Sequence, residues 1–330
     1  MRTVLISGGA GFIGSHLVDY FIKNGDCVII IDNLYTGKME NVVKYLGAPE
    51  VKLLDKDMKY ISFPKFRFLR KDISACTFTD LQDFKFDLVL HFASPASPIH
   101  YTNQPFMTMN ANSKGTEFML DVAVRNNATF LLASTSEIYG DPLEHPQKET
   151  YWGNVNSFGA RSLYDESKRY AETLAYLYAK HKKADVRIVR TFNVYGSRMQ
   201  MDDGRAVPAF ITQALEGEPI TIFGDGSQTR SLCYIDDYIE GIIKLLESDI
   251  RTPINIGNPN EITINELALM IKALCNSSSD IMYHELPQDD PKRRCPDISR
   301  AKTLLNWEPK VSLLDGLTKT IEYFKKELGI

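Results

Sequence analysis

The sequence has no excess of positive charge. Its 38 lysines and arginines stand against 42 aspartates and glutamates, a net −4 at neutral pH, with a pI near 5.9. A chain that grips nucleic acid normally carries a basic face or stripe, so nucleic acid is not an expected partner. A long hydrophobic run is also missing. No window reaches the ~18 apolar residues of a membrane span, and Met1-Arg2 leads directly into Thr3-Val4-Leu5-Ile6-Ser7 rather than into a secretory leader. Cysteine is sparse: Cys27, Cys76, Cys233, Cys275 and Cys295 are odd in number, irregularly spaced and without a Cys-x-x-Cys pair. That excludes a disulfide framework and a zinc ribbon. These absences predict a reduced, cytoplasmic location with no membrane partner. No internal repeat or low-complexity tract is visible, and the six histidines have no metal-ligand spacing, so no metal is expected. His91, at the end of a predicted strand, reads as a packed, hydrogen-bonded residue.

What is present is an ordinary globular composition, 44% apolar and 24% charged over 330 residues, enough for two domains or one large one. The first half alternates short, continuous apolar runs with helical patterns. Strands are predicted at Val4–Ser7, Val28–Ile31, Phe66–Leu69, Asp87–Phe92 and Thr129–Ala133, with a helix over Phe12–Asn24. Continuous rather than alternating apolar strands belong to sheets covered on both faces. The fold class that follows is α/β, a Rossmann-type doubly wound parallel sheet. Beyond about Asn193 the rhythm changes, with a helix predicted at Ala206–Glu216, a strand at Pro219–Phe223, a return to the sheet over Tyr234–Glu247 and Pro253–Ile256, a further segment at Ile264–Leu274 and a last helix at Leu313–Glu327. The division expected is a cofactor-binding domain at 1–193 plus about 231–258, a smaller discontinuous substrate-binding lobe at 194–230 plus about 259–310, and a C-terminal helix at 311–330.

The glycines of Gly8-Gly9-Ala10-Gly11-Phe12-Ile13-Gly14 sit between the first strand and the first helix. Glycine allows the tight turn and lets backbone approach a diphosphate, while the helix N-terminus offers unpaired N–H groups and a positive dipole end. Asp32 ends the next strand, 18 residues after Gly14. A carboxylate there accepts bonds from both adenosine ribose hydroxyls and repels a 2′-phosphate, which selects NAD. Asp72, at the end of the third strand, is placed to meet the adenine. Farther on, Tyr164 and Lys168 share a helical face at i and i+4. A cation beside the phenol favours phenolate and makes the tyrosine a base near neutrality. Tyr176/Lys180 and Tyr178/Lys182 have the same spacing. Only Tyr164 stands at a helix start, downstream of the hydroxyl-rich strand end Ser134-Thr135-Ser136-Glu137.

These features together resemble the extended short-chain dehydrogenase/reductase family over essentially the whole chain, and within it the branch that decarboxylates nucleotide-sugar uronates. The stretches that carry the resemblance are Phe92-Ala93-Ser94-Pro95-Ala96-Ser97-Pro98, Leu132 through Pro142, His145-Pro146-Gln147 leading to Tyr151-Trp152-Gly153, Tyr164-Asp165-Glu166-Ser167-Lys168-Arg169, Gly226-Ser227-Gln228-Thr229-Arg230, and Gln288-Asp289-Asp290-Pro291 through Pro296-Asp297. The resemblance implies NAD as a recycled cofactor and a nucleotide-sugar acid as substrate, with UDP-glucuronate converted to UDP-xylose through a 4-keto stage. A 4-epimerase, or an oxidative decarboxylase releasing the ketopentose, are the alternatives. By the same resemblance Tyr164 takes the 4-hydroxyl proton, Thr135 bonds the same oxygen, and Lys168 keeps Tyr164 acidic and holds the nicotinamide ribose. Ser136, Glu137 and Arg294 serve the decarboxylation. Tyr101, Asn193, Arg205, Arg230 and Arg294 are implied substrate contacts. Cofactor contacts are implied at Gly8, Gly11, Phe12, Ile13, Gly14, Asp32, Asn33, Tyr35, Thr36, Gly37, Asp72, Ile73, Phe92, Ser94, Ala133, Tyr164 and Lys168. The family also implies a homodimer built on helices flanking the sheet. Phe118 stands where the family pattern places an asparagine that contacts the nucleotide, and the segment from Gly47 to Lys65 is longer than the family's loop.

Overall fold

The computed structural model describes residues 1–45, 60–63, 65–285 and 293–330. Most of the long Gly47–Lys65 segment, and the Gln288-Asp289-Asp290-Pro291 stretch, therefore lie outside the described residues. The chain builds one large sheet from β1 (Thr3–Ser7), β2 (Cys27–Asp32), β3 (Tyr60–Phe63), β4 (Phe66–Arg70), β5 (Leu88–His91), β6 (Thr129–Thr135), β7 (Asp185–Thr191) and a late strand, Ile254–Ile256. In space these run from Ile254–Ile256 through β7, β6, β5, β1, β2 and β4 to β3. Seven of the eight are mutually parallel. The exception is β3, which lies antiparallel to β4 at the edge, a strand absent from the sequence-based expectation. So was β7, whose Asp-Val-Arg-Ile-Val-Arg-Thr mixes charges into the apolar pattern.

The alternation along each strand sends successive side chains to opposite faces. Val4, Ile6, Val28, Ile30, Leu90 and Leu131 join one core with α1 (Phe12–Lys23). Leu5, Ile29, Ile31, Val89, Phe130 and Leu132 join the other. That second layer is built by α2 (Pro98–Asn103), α3 (Pro105–Asn110), a π-helical turn at Ala111–Gly115, α4 (Thr116–Asn126) and α5 (Ser162–Lys182). Phe118 packs on this layer, its ring 5.5 Å from that of Phe78.

After β7 the chain leaves and re-enters the sheet. It forms β8 (Val194–Tyr195), α6 (Ala206–Glu216), β9 (Ile220–Phe223), β10 (Thr229–Ser231), β11 (Cys233–Tyr234) and α7 (Ile235–Leu246), and then returns as β12 (Ile254–Ile256). It closes with β13 (Glu261–Thr263), α8 (Ile264–Leu274), β14 (Ile281–His284), α9 (Ser299–Leu305) and α10 (Leu313–Leu328). Three two-stranded sheets, β10 with β13, β8 with β11 and β9 with β14, tie these late segments together. The architecture brings the C-terminal ends of β1, β2, β5 and β6 to one edge, where open α/β sheets gather ligands.

Candidate active site

The first turn after β1 is dictated by sterics. Gly8 has φ +75°, and a Cβ there would stand 2.8 Å from Ala93 N and from Phe92 C. A Cβ on Gly14 would collide with the Gly8 carbonyl. Both positions need glycine so that α1 can start against the strand. No side chain caps α1 at Gly11, and its first turn holds no acid, so the positive helix end is left to a ligand anion. Asp32, 7% exposed, accepts from Ala10 N (3.0 Å) and Leu34 N (2.8 Å). Burial pushes its carboxyl above the usual range, and those two N–H donors pull it back. Gly37 packs against this carboxylate. Asn33 donates to Asp72 across 3.0 Å.

One cavity joins these groups. It is lined by Gly8, Gly11, Phe12, Ile13, Gly14, Asp32, Asn33, Tyr35, Thr36, Asp72, Ile73, Phe92 and Ser94. Arg198, Gln200, Asp203 and Arg205 line it from the far side. Gln200 reaches Thr36 O at 2.8 Å, and Arg205 Nε pairs with Asp203 at 2.7 Å. Of the residues implied as substrate contacts, only Arg205 borders this cavity. Arg230 lies in β10 with its guanidinium on Thr229 O, and the Asn193 carbonyl accepts from Cys233 N.

Tyr164 and Lys168 are both buried on the first turns of α5. Lys168 Nζ donates to Ala133 O at 2.9 Å and stands 5.8 Å from the Tyr164 ring centroid. Burial lowers the Lys168 ammonium to about 7. Tyr164 departs from the expected acidity. Burial raises its phenol, the nearby Glu137 charge raises it further, and only the hydrogen bond with Thr135 acts the other way. Tyr101 stacks on the Tyr164 ring with centroids 5.1 Å apart and planes 11° from parallel. Tyr164 and Lys168 are not among the residues that line the cavity. Beneath them His91 accepts from Ser7 Oγ at Nδ1 (2.6 Å) and faces Ala111 O at Nε2 (3.1 Å). Burial and the Lys168 charge hold it neutral, at about 3.

Next to the tyrosine lies a buried charge cluster. Glu137 begins the 3₁₀ turn Ser136–Tyr139, which Thr135 caps and in which Ser136 is buried. One carboxylate oxygen accepts from Arg161 Nη2 at 2.7 Å, and the other is bonded to Arg294 Nη1. Arg294 is 4% exposed and also reaches Gly140 O, so it is no solvated basic surface residue. The two guanidiniums outweigh burial and hold Glu137 at about 2. Asp165, one turn after Arg161, is pushed up to about 7, by burial first and then by Glu137. The sequence reading brought Glu137 and Arg294 to the site but passed over Arg161 and Asp165. Their signal was faint: two charges at i and i+4 flanking Tyr164 on its helix.

Residues 4–257 match the model of the NAD dependent epimerase/dehydratase family. The chain belongs to that family. Similar proteins include UDP-glucuronic acid decarboxylase 5 of Arabidopsis thaliana, 48% identical over 328 residues that span 99% of this chain and 90% of the relative. UDP-glucuronic acid decarboxylase 1 of Danio rerio is 47% identical over 327 residues, 99% of this chain and 73% of the relative. Among solved structures, a Bacillus cereus UDP-glucuronic acid 4-epimerase in complex with UDP-glucuronic acid and NAD superposes with a TM-score of 0.84 at 31% identity, covering 98% of this chain and 99% of that one. For a member of the NAD dependent epimerase/dehydratase family the donor set fits the dinucleotide: an uncapped helix end for the diphosphate and a buried carboxylate for the ribose. NAD is the cofactor.

Other groups singled out earlier have partners within the polypeptide. His145 Nε2 pairs with Glu261 at 2.8 Å, and the adjacent Cys295 thiol donates to Pro259 O. Among the described residues no helix is long and apolar enough to cross a membrane.

Two outcomes follow from the cluster. Tyr164→Phe keeps NAD affinity, read by fluorescence titration, and loses about 10²–10⁴-fold in turnover, the usual worth of a positioned acid–base group; full activity contradicts its role. Glu137→Gln removes the carboxylate that Arg161 and Arg294 share and costs about 3–5 kcal/mol at pH 7, read by urea unfolding. Because the folded value lies near 2, below the ordinary 4.5, the wild-type advantage is complete above about pH 4.5 and fades as pH falls toward 2. A deficit that does not shrink with acid contradicts the pairing.

Proposed function

We propose that this chain is an NAD-dependent UDP-glucuronate decarboxylase that forms UDP-xylose and CO2 without net redox change. Direct loss of CO2 from the sugar acid leaves an unstabilised carbanion. Oxidation at C4 first makes a β-keto acid, whose decarboxylation leaves an enolate that takes up a solvent-derived proton at C5 before the ketone is reduced again. NAD, when bound, supplies a cationic ring and a hydride acceptor that is restored at the end. Tyr164 Oη takes the C4 hydroxyl proton and later returns it, and Thr135 steadies the same oxygen. Lys168 holds the nicotinamide ribose. Glu137, kept ionised by Arg161 and Arg294, bonds the sugar hydroxyls, with Ser136 beside it. Arg294 offers a planar fork to the substrate carboxylate. The observation that carries the reading is the Glu137–Arg294 pair beside Tyr164, its arginine buried, in a chain 47–48% identical to named UDP-glucuronic acid decarboxylases along nearly its whole length.

The smaller lobe, 194–230 with about 259–310, takes the nucleotide on this reading, with Asn193, Arg205 and Arg230 as its contacts and Tyr101 against the sugar. The protein acts in the cytoplasm as a homodimer. Support for the dimer is the outer face of α5, which leaves Tyr170, Tyr176 and Leu177 exposed, a stripe a second copy of the helix can cover. Sedimentation velocity reads the stoichiometry, and a monomer at micromolar concentration removes that part.

The reaction is tested with UDP-glucuronate deuterated at C4 and substoichiometric NAD. The expected products are CO2 and UDP-xylose that retains the label, with no accumulated reduced nicotinamide. An epimer of unchanged mass identifies a 4-epimerase. Labelled reduced cofactor with a ketopentose identifies an oxidative decarboxylase.

A further inference from the structure

Arg294 lies outside helix and strand, yet its guanidinium must meet a carboxylate 157 positions away in sequence. Something has to fix the backbone that carries it. The residue after it supplies the connection. Cys295 N donates to Gln147 Oε1 at 2.9 Å, and Gln147 N donates back to Cys295 O at 2.8 Å. Asp297 N then donates to Gln147 O at 2.8 Å, completing a parallel bridge between Gln147 and Pro296. Gln147 is 1% exposed, and its Nε2 is spent on Glu144 O at 2.8 Å. Every polar atom of this side chain is therefore committed to backbone, with none left to face a ligand.

The staple is tied to the sheet. Asn255 Nδ2, on β12, donates to Gln147 O (3.0 Å) and to Asp297 O (3.2 Å), holding both sides of the bridge. Asn255 Oδ1 accepts from Tyr139 OH, which accepts from Arg190, which is clamped on Glu172 of α5. Buried amide groups satisfied in this way specify one geometry, since any shift leaves a donor or acceptor unpaired at about 1–3 kcal/mol each.

We infer that Gln147 is a positioning residue that holds the Arg294 segment in register with Glu137, and so acts on the reaction through Arg294 without touching the substrate. This rests on the proposed function for its kinetic consequence but not for its structural one. The sequence stretch His145-Pro146-Gln147, otherwise unused by the chemistry, acquires a role.

The test uses the full-length protein with NAD bound. Gln147→Met keeps the length and removes both side-chain hydrogen bonds. Gln147→Glu, whose buried carboxyl is held protonated, keeps an acceptor for Cys295 N–H and a donor for Glu144 O. In Gln147→Met, kcat/KM for UDP-glucuronate falls roughly 100-fold, the cost of misplacing a catalytic group by about 1 Å, while NAD affinity is unchanged; Gln147→Glu restores most of the activity. In an Arg294→Ala background Gln147→Met adds no further loss, because both changes remove the same interaction. Losses that multiply in the double variant overturn the inference. Amide hydrogen exchange decides it independently of substrate: exchange at residues 293–297 speeds up in Gln147→Met and not in Gln147→Glu, and unchanged protection overturns the inference. If Gln147→Met does not fold, Gln147→Asn, one methylene shorter, is read the same way. Should the wild-type protein leave UDP-glucuronate untouched, the proposed function falls, and the exchange result still decides the role of Gln147.

Discussion

A carboxylate buried between two guanidiniums is the constraint on which the rest of the site depends. Glu137 cannot be taken out of water as an anion without compensation, and Arg161 and Arg294 provide it from two different segments. The arrangement also sets its neighbours. Burial raises both Tyr164 and Asp165, and the Glu137 charge raises them further.

The sheet makes this convergence possible. Parallel strands deliver β1, β2, β5 and β6 to one edge with the same polarity, so the glycine turn, Asp32, His91 and Thr135 arrive on the same side of the molecule. The helix layer over the other face carries Tyr164 and Lys168 to that edge. The π-helical turn between α3 and α4 helps seat it: Ala111 O faces His91, and Asn112 Nδ2 donates to Ser167 of α5 at 3.0 Å. Local departures of this type often mark functional ground in long helices.

Much of this was legible from residue order alone. Gly8, Gly11, Gly14 and Asp32 have spacings that suit a strand–turn–helix–strand unit, and the structure puts all four around one cavity. The i, i+4 relation of Tyr164 and Lys168 likewise needs nothing beyond a helix. What spacing cannot convey is tertiary electrostatics. The lysine was read as the group that acidifies the phenol, yet it is buried so deeply that its own proton is loosened, while a carboxylate from another element works in the opposite direction. The roles of Arg161 and Gln147 escaped for a related reason: each acts through partners brought close only by the fold, and neither the i, i+4 charges around Tyr164 nor the His145-Pro146-Gln147 stretch names those partners. The antiparallel β3 lies at the sheet edge, and the charges of β7 find partners that only the fold brings together, Arg190 on Glu172 of α5 and Arg187 on Asp185 and Ser248 O, so composition marks neither as a strand.

The distance along the chain between Glu137 and Arg294 has a consequence for folding. Joining two groups 157 positions apart closes a long loop before the contact returns any energy. The residues under the glycine turn also share one core with Leu317 and Phe324. The site is therefore completed together with the whole tertiary structure and not ahead of it.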